Sequence, residues 1–271
     1  MKKLVYVFIA IGFTGLSLMA QSDPGDKKVK LGIIGTPSVN WLTPGNTNTM
    51  SGNGATIKAG IGIAADFRLT DVIWFHTGLE YTSTGGNIAY KSTDTVGYYY
   101  NGGVIQKTLL GTSSPAGSTP YRLLDRKYKA GFVHIPIGFR LKTKEIGVMT
   151  YFGQIGGDLY VKTSAKGDDD VSIVTPVSVF SANKTNTLTN NDLNSVVNFF
   201  NAGVHIGAGA EYRFSGSTCL IGSITYQRGL LNYTSVGTDY LTKVSAISPN
   251  FSQFNNASKL SQIVLSLGIM F

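Results

Sequence analysis

Only one cysteine, Cys219, stands in the 271 residues, so a disulfide within the chain is excluded. Charge is sparse as well, with Asp, Glu, Lys and Arg together making 14% of the chain. Beyond residue 20 no apolar run approaches the roughly 20 residues of a spanning helix, which excludes a helical crossing of a membrane by that part. Such a chain crosses a bilayer only as a closed barrel, because hydrocarbon cannot satisfy open sheet edges. The 23 Lys and Arg outnumber the 15 Asp and Glu, for a net charge of +8. The cations scatter over loops, turns and strand faces, with no basic stripe and no RNA-reading motif, so no nucleic-acid partner is expected.

The first residues are organised differently. Met1-Lys2-Lys3, an apolar core from Leu4 to Met19 and small residues before Ala20 read as a secretory signal peptide cleaved after Ala20. A membrane anchor is a poorer reading, because Gly12, Thr14, Gly15 and Ser17 weaken the run. Gln21 stands where a lipoprotein needs cysteine. The expected organisation is a signal peptide (1–20), a short periplasmic tail (21–28) and a barrel domain (29–271).

What the remainder holds is alternation of period two, which gives a strand one apolar and one polar face. Ile57, Ala59, Ile61, Ile63, Ala65, Phe67 and Leu69 share one face, and Lys58, Gly60, Gly62, Asp66 and Arg68 lie on the other. After a turn near Thr70 the pattern resumes through Ile73, Phe75, Leu79 and Tyr81. It recurs at 132–141, 149–161, 201–214 and 220–228, and Val29 to Gly35 and Gln262 to Phe271 complete eight strands. These strands exceed the usual 5–6 residues of soluble sheets and match the roughly 9–11 of tilted spanning strands. Tight turns near Thr70, Lys144 and Gly216 contrast with long Ser/Thr/Asn/Gly-rich connections at 43–55, 83–125, 162–197 and 232–257. The expected fold is therefore all-β: an eight-stranded antiparallel up-and-down transmembrane β-barrel with short periplasmic turns and four long extracellular loops. Phe67, Phe139, Tyr151, Tyr212, Phe214 and Phe271 fall on the apolar face near the short turns, as an interfacial girdle does. Pro136 interrupts a strong strand, and a bulge or an unpaired carbonyl is expected there.

The polar face carries the candidate site. Asp66, Arg68, His76, Glu80, His134, Arg140, Asp158, His205, Glu211 and Arg213 share the inward parity. A narrow eight-stranded lumen is filled by side chains, so these residues are expected to form a salt-bridged plug, with Glu211 or Asp66 paired to Arg140, Arg68 or Arg213. Three histidines can in principle bind zinc, but His76 sits lower than His134 and His205 and the spacing sets no common centre; no metal or cofactor is expected. The same narrowness weighs against an ion-selective pore. Asp168-Asp169-Asp170 lacks the calcium-loop pattern of an EF-hand and reads as a solvated acidic loop. Asn-x-Ser/Thr triplets at Asn183, Asn232, Asn250 and Asn256 reflect Asn/Thr-rich loops.

Four short motifs occur in order: His134-Ile135-Pro136-Ile137; Tyr151-Phe152-Gly153-Gln154-Ile155-Gly156-Gly157; Gly207-Ala208-Gly209-Ala210-Glu211-Tyr212-Arg213; and Tyr226-Gln227-Arg228-Gly229-Leu230. With a last strand ending on Phe271, this order resembles the PorT-like outer-membrane β-barrel proteins of Bacteroidota. His134 stands where that family often has Glu or Gln, and the 83–125 connection is long. The resemblance implies an outer-membrane barrel in a Gram-negative cell, one member of the family being associated with type IX secretion and gliding, and it supplies no catalytic motif to carry over. A structural or accessory role in the envelope is therefore expected, in a non-enzymatic protein. The expected partners are outer-membrane lipid, the barrel assembly machinery reading Phe271 as an assembly signal, and an envelope protein met through the extracellular loops. The alternatives are a barrel that binds or transports a small ligand and a lipid-modifying enzyme, although no histidine falls on the lipid-facing parity that such an enzyme uses.

Overall fold

The computed structural model describes residues 28–91, 95–111, 114–173, 184–244 and 251–271. The expected signal peptide, its cleavage point, most of the tail and the triplets at Asn183 and Asn250 lie outside the described residues. The strands are β1 (Val29–Gly35), β2 (Ser38–Pro44), β3 (Met50–Gly52), β4 (Thr56–Lys58), β5 (Gly60–Arg68), β6 (Ile73–Tyr90), β7 (Thr95–Asn101), β8 (Val104–Ile105), β9 (Thr119–Lys142), β10 (Met149–Ile173), β11 (Asn186–Asp192), β12 (Phe200–Ser215), β13 (Thr218–Gly229), β14 (Thr242–Val244), β15 (Phe251–Gln253) and β16 (Ser258–Met270).

Eight staves close into a ring. Stave one is β1 continued by β2, stave two is β4 continued by β5, and β6, β9, β10, β12, β13 and β16 supply the rest, with β16 pairing back onto β1 and β2. The break in stave one falls at Thr36-Pro37. Thr36 still exchanges backbone hydrogen bonds with Gly60 (2.9 and 3.1 Å), so the wall stays paired across it. At the short end, the turns at Gly147 and Gly216 use positive φ (67° and 53°), which glycine adopts without a Cβ penalty. Closure removes every free edge from the spanning zone, the condition lipid imposes.

Burial is inverted relative to a soluble protein. Outward residues such as Ile63 (59% exposed), Phe139 (46%) and Ile155 (57%) are apolar, whereas inward Asp66 (0%), Arg140 (3%) and Asp158 (1%) are charged and enclosed. The apolar outer band on β9 runs from Val133 to Leu141, nine residues. That is about 30 Å of strand, or about 23 Å in height at a tilt near 40°, matching the ~25 Å band of outer-membrane barrels. Phe67, Phe75 and Phe139 meet side by side on its lower edge (ring centroids 6.2 and 5.9 Å apart), and Trp41 stacks on Tyr226 (6.3 Å) on the same outer surface.

Above the band the sense reverses, which corrects the expected loop boundaries. Much of 83–125 and 162–197 is strand: β6 continues to Tyr90, β9 begins at Thr119 and β10 runs to Ile173. There the interior turns apolar, with Leu42, Met50, Ile88, Tyr90, Val96, Tyr98, Leu123, Tyr128, Phe132, Val171, Leu193, Tyr233, Leu241 and Phe254 packed in one cluster. Water, unlike lipid, rewards burying such groups, so the wall becomes an extracellular turret with a conventional core. Pro136 does not produce a bulge. The β6–β9 ladder keeps its register, and pairing lapses opposite Ile135 and Pro136, at Gly78 and Leu79. A bulge falls instead between Lys162 and Ser164 on β10 and moves inward positions from even to odd numbers.

Candidate functional site

The lumen holds two polar clusters in two storeys. In the lower one, Asp66 on β5 accepts from Arg140 Nη1 on β9 at both oxygens (3.0 and 3.0 Å), from Lys142 Nζ (2.9 Å) and from His76 Nδ1 on β6 (2.7 Å). Lys142 also reaches Glu211 on β12 (2.5 Å), which in turn accepts from Lys30 Nζ on β1 (2.8 Å). Arg140 Nη2 points at His76 Nε2 (3.3 Å), and a guanidinium can only donate, so His76 is the neutral Nδ1–H tautomer. Aromatic faces complete the shell: Arg140 lies over Phe152 (4.8 Å to the centroid) and Lys142 over Trp74 (4.3 Å). Gln154 accepts from Arg140 Nε (3.0 Å) and donates to Thr225 (2.6 Å), tying the cluster across the barrel to β13.

In the upper storey, His134 lies between two carboxylates, with Nδ1 at 3.3 Å from Glu80 and Nε2 at 2.8 Å from Asp158. Both ring nitrogens face acceptors, so both donate and the ring is an imidazolium. His205 Nδ1 donates to the same Asp158 oxygen (3.0 Å). Tyr160 stacks flat on His134 (4.4 Å, 9°) and its hydroxyl bonds Gln227 (2.7 Å). Room for His205 comes from a facing pair of glycines: a Cβ on Gly156 would stand 2.8 Å from its ring, and one on Gly138 would stand 3.1 Å away. Charge balance agrees with this protonation. Asp66, Glu80, Asp158 and Glu211 oppose Lys30, Arg140 and Lys142, and the imidazolium supplies the fourth positive charge.

The remaining sequence candidates fall elsewhere. Arg68 pairs with Asp71 (2.5 Å) and Arg213 with Glu145 (2.7 Å), both at the wet short-turn rim and neither in the buried network. Glu211 meets Lys30 and Lys142, with Lys142 standing between it and the Asp66–Arg140 pair. Phe271, half exposed, lies on the outer face, and its N–H bonds Leu31 (2.7 Å) where β16 closes on β1. Lys30, Trp74, Lys142 and Gln154 were missed, although each continues the inward parity of a neighbour already named. Among the described residues no set of three or more His, Cys, Asp and Glu is placed to hold a metal ion.

Asp168, Asp169 and Asp170 are not a solvated loop but successive β10 residues that alternate faces. Asp168 pairs outside with Lys129 and Asp170 with Lys184 (2.8 Å), whereas Asp169 is fully buried in the turret against Arg126 (2.6 Å at each oxygen). Tyr98 donates to Asp169 (2.5 Å) and Arg126 donates to Tyr240 (3.1 Å). Burial works against the Arg126 charge, but Asp169 outweighs it and raises the guanidinium above its ordinary range. Burial likewise pushes the Tyr240 hydroxyl up to about 12.

The open space is small. A cavity of about 30 Å³ separates the storeys, bounded by His76, Glu80, His134, Arg140 and Gln154, enough for one or two waters. A larger one of about 210 Å³ opens at the short-turn mouth beside Lys30, Trp74, Glu211 and Cys219.

A closed eight-stave ring with an apolar belt outside and a polar, packed interior defines a transmembrane β-barrel of the outer-membrane class. The chain belongs to the outer membrane protein beta-barrel domain family, whose model matches residues 19–235. This family is one of outer-membrane proteins, and the chain is one of them. No curated protein matches the chain. Among solved structures it is similar to Neisserial surface protein A (10% identity, 90% of this chain and 96% of that one, TM-score 0.39). It is also similar to OprG of Pseudomonas aeruginosa (11%, 92% and 98%, 0.34) and to Ail, the attachment invasion locus protein of Yersinia pestis (9%, 90% and 100%, 0.31). At these identities and scores, nothing about activity passes from them to this chain.

Proposed function

We propose that the protein is a non-enzymatic, plugged barrel whose work is to anchor and present the extracellular turret, serving as a structural or accessory component of the envelope. The two-storey network is the observation that carries this reading. Asp66, Glu80, Asp158 and Glu211 each lie against a basic side chain, the free space between storeys is water-sized, and eight staves leave no aqueous channel. The turret, by contrast, has its own apolar core and an outer surface of lysines, aspartates and hydroxyls suited to a protein partner. Partnership with a surface assembly, including the type IX secretion machinery suggested by the motif resemblance to PorT-like proteins of Bacteroidota, belongs to this proposal. Gram-negative export by the signal peptide and recognition of Phe271 by the assembly machinery belong to it too.

Two measurements on the native protein test the reading. Reconstituted in planar bilayers it should give no single-channel current, and isolated from native outer membranes under mild detergent it should co-purify with envelope subunits. Steady channel current from the wild type refutes the plug, and a solitary monomer in native extracts refutes the accessory role. A second reading, a barrel that binds a small ligand, draws on the 210 Å³ mouth cavity. Binding of a small molecule from a periplasmic extract that is lost in Trp74→Ala would favour it.

A further inference from the structure

The outer wall above the apolar band is built in rows that cross β6, β9 and β10. Tyr81, Val133 and Val161 are cross-strand partners and form the last apolar row; Ser83, Gly131 and Ser164 form the next. Gly85, Lys129 and Lys166 form the third, and Asn87, Lys127 and Asp168 the fourth. Two lysines directly opposite each other on one face repel, and Lys129 and Lys166 are so placed. Lys58 has the inward parity on β4, opposite Ser38, but β4 pairs only with β2 and the lysine side chain lies across Gly85, its Cε 3.4 Å from the point a Cβ would occupy there. One carboxylate, Asp168, pairs into this group of four cations. Below the lysines is a glycine floor. A Cβ on Gly131 would meet Tyr81 Oη at 2.6 Å, Thr163 Oγ1 at 2.9 Å and Ser164 Oγ at 3.1 Å, so three hydroxyls converge over a residue with no side chain of its own. The β10 bulge brings Thr163 and Ser164 there together.

Hydroxyl donors over a bare glycine, roofed by ammonium groups, match the oxygens of a phosphate. Height selects the source. The lysine row stands two rows above the last apolar row, about 13 Å along the strand, or about 10 Å in height once tilted. Lysine side chains reach back down toward the headgroup layer from such a position. We propose that the Gly131 platform seats the phosphate of a lipid headgroup in the outer leaflet, held by Lys58, Lys129 and Lys166 and by the hydroxyls of Tyr81, Thr163 and Ser164. This site lies on the outer wall and stands or falls independently of the plugged lumen.

Fluorescent diphosphoryl lipid A titrated into the detergent-solubilised full chain at physiological ionic strength tests the seat, with dephosphorylated lipid A as the comparison. Wild type should prefer the phosphorylated lipid. Lys129→Gln/Lys166→Gln should weaken that binding about 25-fold, at about fivefold per lysine near an anionic surface. Gly131→Ala, which fills the floor at unchanged charge, should also lose the preference, whereas Lys28→Gln/Lys144→Gln, at the opposite, short-turn end of the barrel, should keep it. Should Gly131→Ala fail to give a heat-modifiable band, the lysine pair decides alone. Equal affinity for the two lipids, lysine variants that bind like wild type, or displacement of the lipid by equimolar inorganic phosphate would each overturn the proposal.

Discussion

Removing Asp66 and Arg140 singly and together measures whether the lower plug exists. Asp66 is fully enclosed and accepts from Arg140, Lys142 and His76, so Asp66→Ala leaves Arg140 with no anion, held by Gln154, His76 and the Phe152 ring, and leaves Lys142 with Glu211 and the Trp74 ring. Breaking a buried ion pair from one side costs about 3–5 kcal/mol, and Asp66→Ala belongs at the upper end because two cations lose their anion. Arg140→Ala belongs at the lower end, since Lys142 and His76 still hold Asp66. The double variant leaves neither partner stranded, so it should cost about 2 kcal/mol less than the sum, within the range seen for contacting pairs. The assay is urea unfolding of the refolded barrel in lipid vesicles, followed by tryptophan fluorescence and the heat-modifiable gel band. Additivity within about 0.5 kcal/mol would refute the pairing. The matching Arg140–Glu211 cycle should give a smaller coupling, because Lys142 stands between those two groups.

On the lipid face, Ile137→Arg, midway along the outer band, should destabilise by about 2–4 kcal/mol, while Ile61→Arg, level with Tyr81 at the upper edge, should cost about 0–1 kcal/mol in the same titration; equal losses would misplace the membrane. Gly156→Ala should cost about 1–3 kcal/mol as an overpacked position, since its Cβ would collide with the Ile137 carbonyl and crowd His205; an unchanged unfolding midpoint would contradict the packing. Deleting Ile269 to Phe271 removes the Ile33–Ile269 and Gly32–Met270 pairs and the Phe271–Leu31 hydrogen bonds, opening the short-turn end of the β16–β1 seam, and should abolish the folded band in outer-membrane fractions. Folding raises the Tyr240 pKa from 10.0 to about 12, so its contribution to the turret is full below pH 10 and is lost as pH rises from there through about 12. Limited proteolysis of the turret should show that alkaline loss, and Tyr240→Phe should flatten it.

The spanning zone was legible because lipid enforces strict alternation: Ile61, Ile63, Phe67, Phe139 and Ile155 announce the outer face by themselves. In the turret the sequence reads as polar loop, because lysines, aspartates and hydroxyls on its outer face dilute an inward series of Ile88, Tyr90, Leu123 and Tyr128. The bulge after Lys162 then shifts parity, so Asp169 is hidden inside a run of three aspartates that looks solvated. Within the lumen, inward parity identified which residues share the interior but not which ones meet. Arg68 and Arg213 have the right parity and sit too near the rim, while Lys30 and Lys142 lie deep enough to reach Glu211. Partner choice depends on height and stagger between staves, and residue counting within one strand does not encode these.

Spin labels placed one at a time along β9 from Lys127 to Leu141, in a Cys219→Ser background reconstituted in vesicles, test the inverted barrel most directly. Paramagnetic oxygen should reach labels at 133, 135, 137, 139 and 141, and neither oxygen nor a water-soluble nickel chelate should reach those at 134, 136, 138 and 140. Labels at 127 and 129 should be open to the chelate. An alternation of opposite phase, or chelate access along the whole inward series, would contradict the closed, plugged barrel.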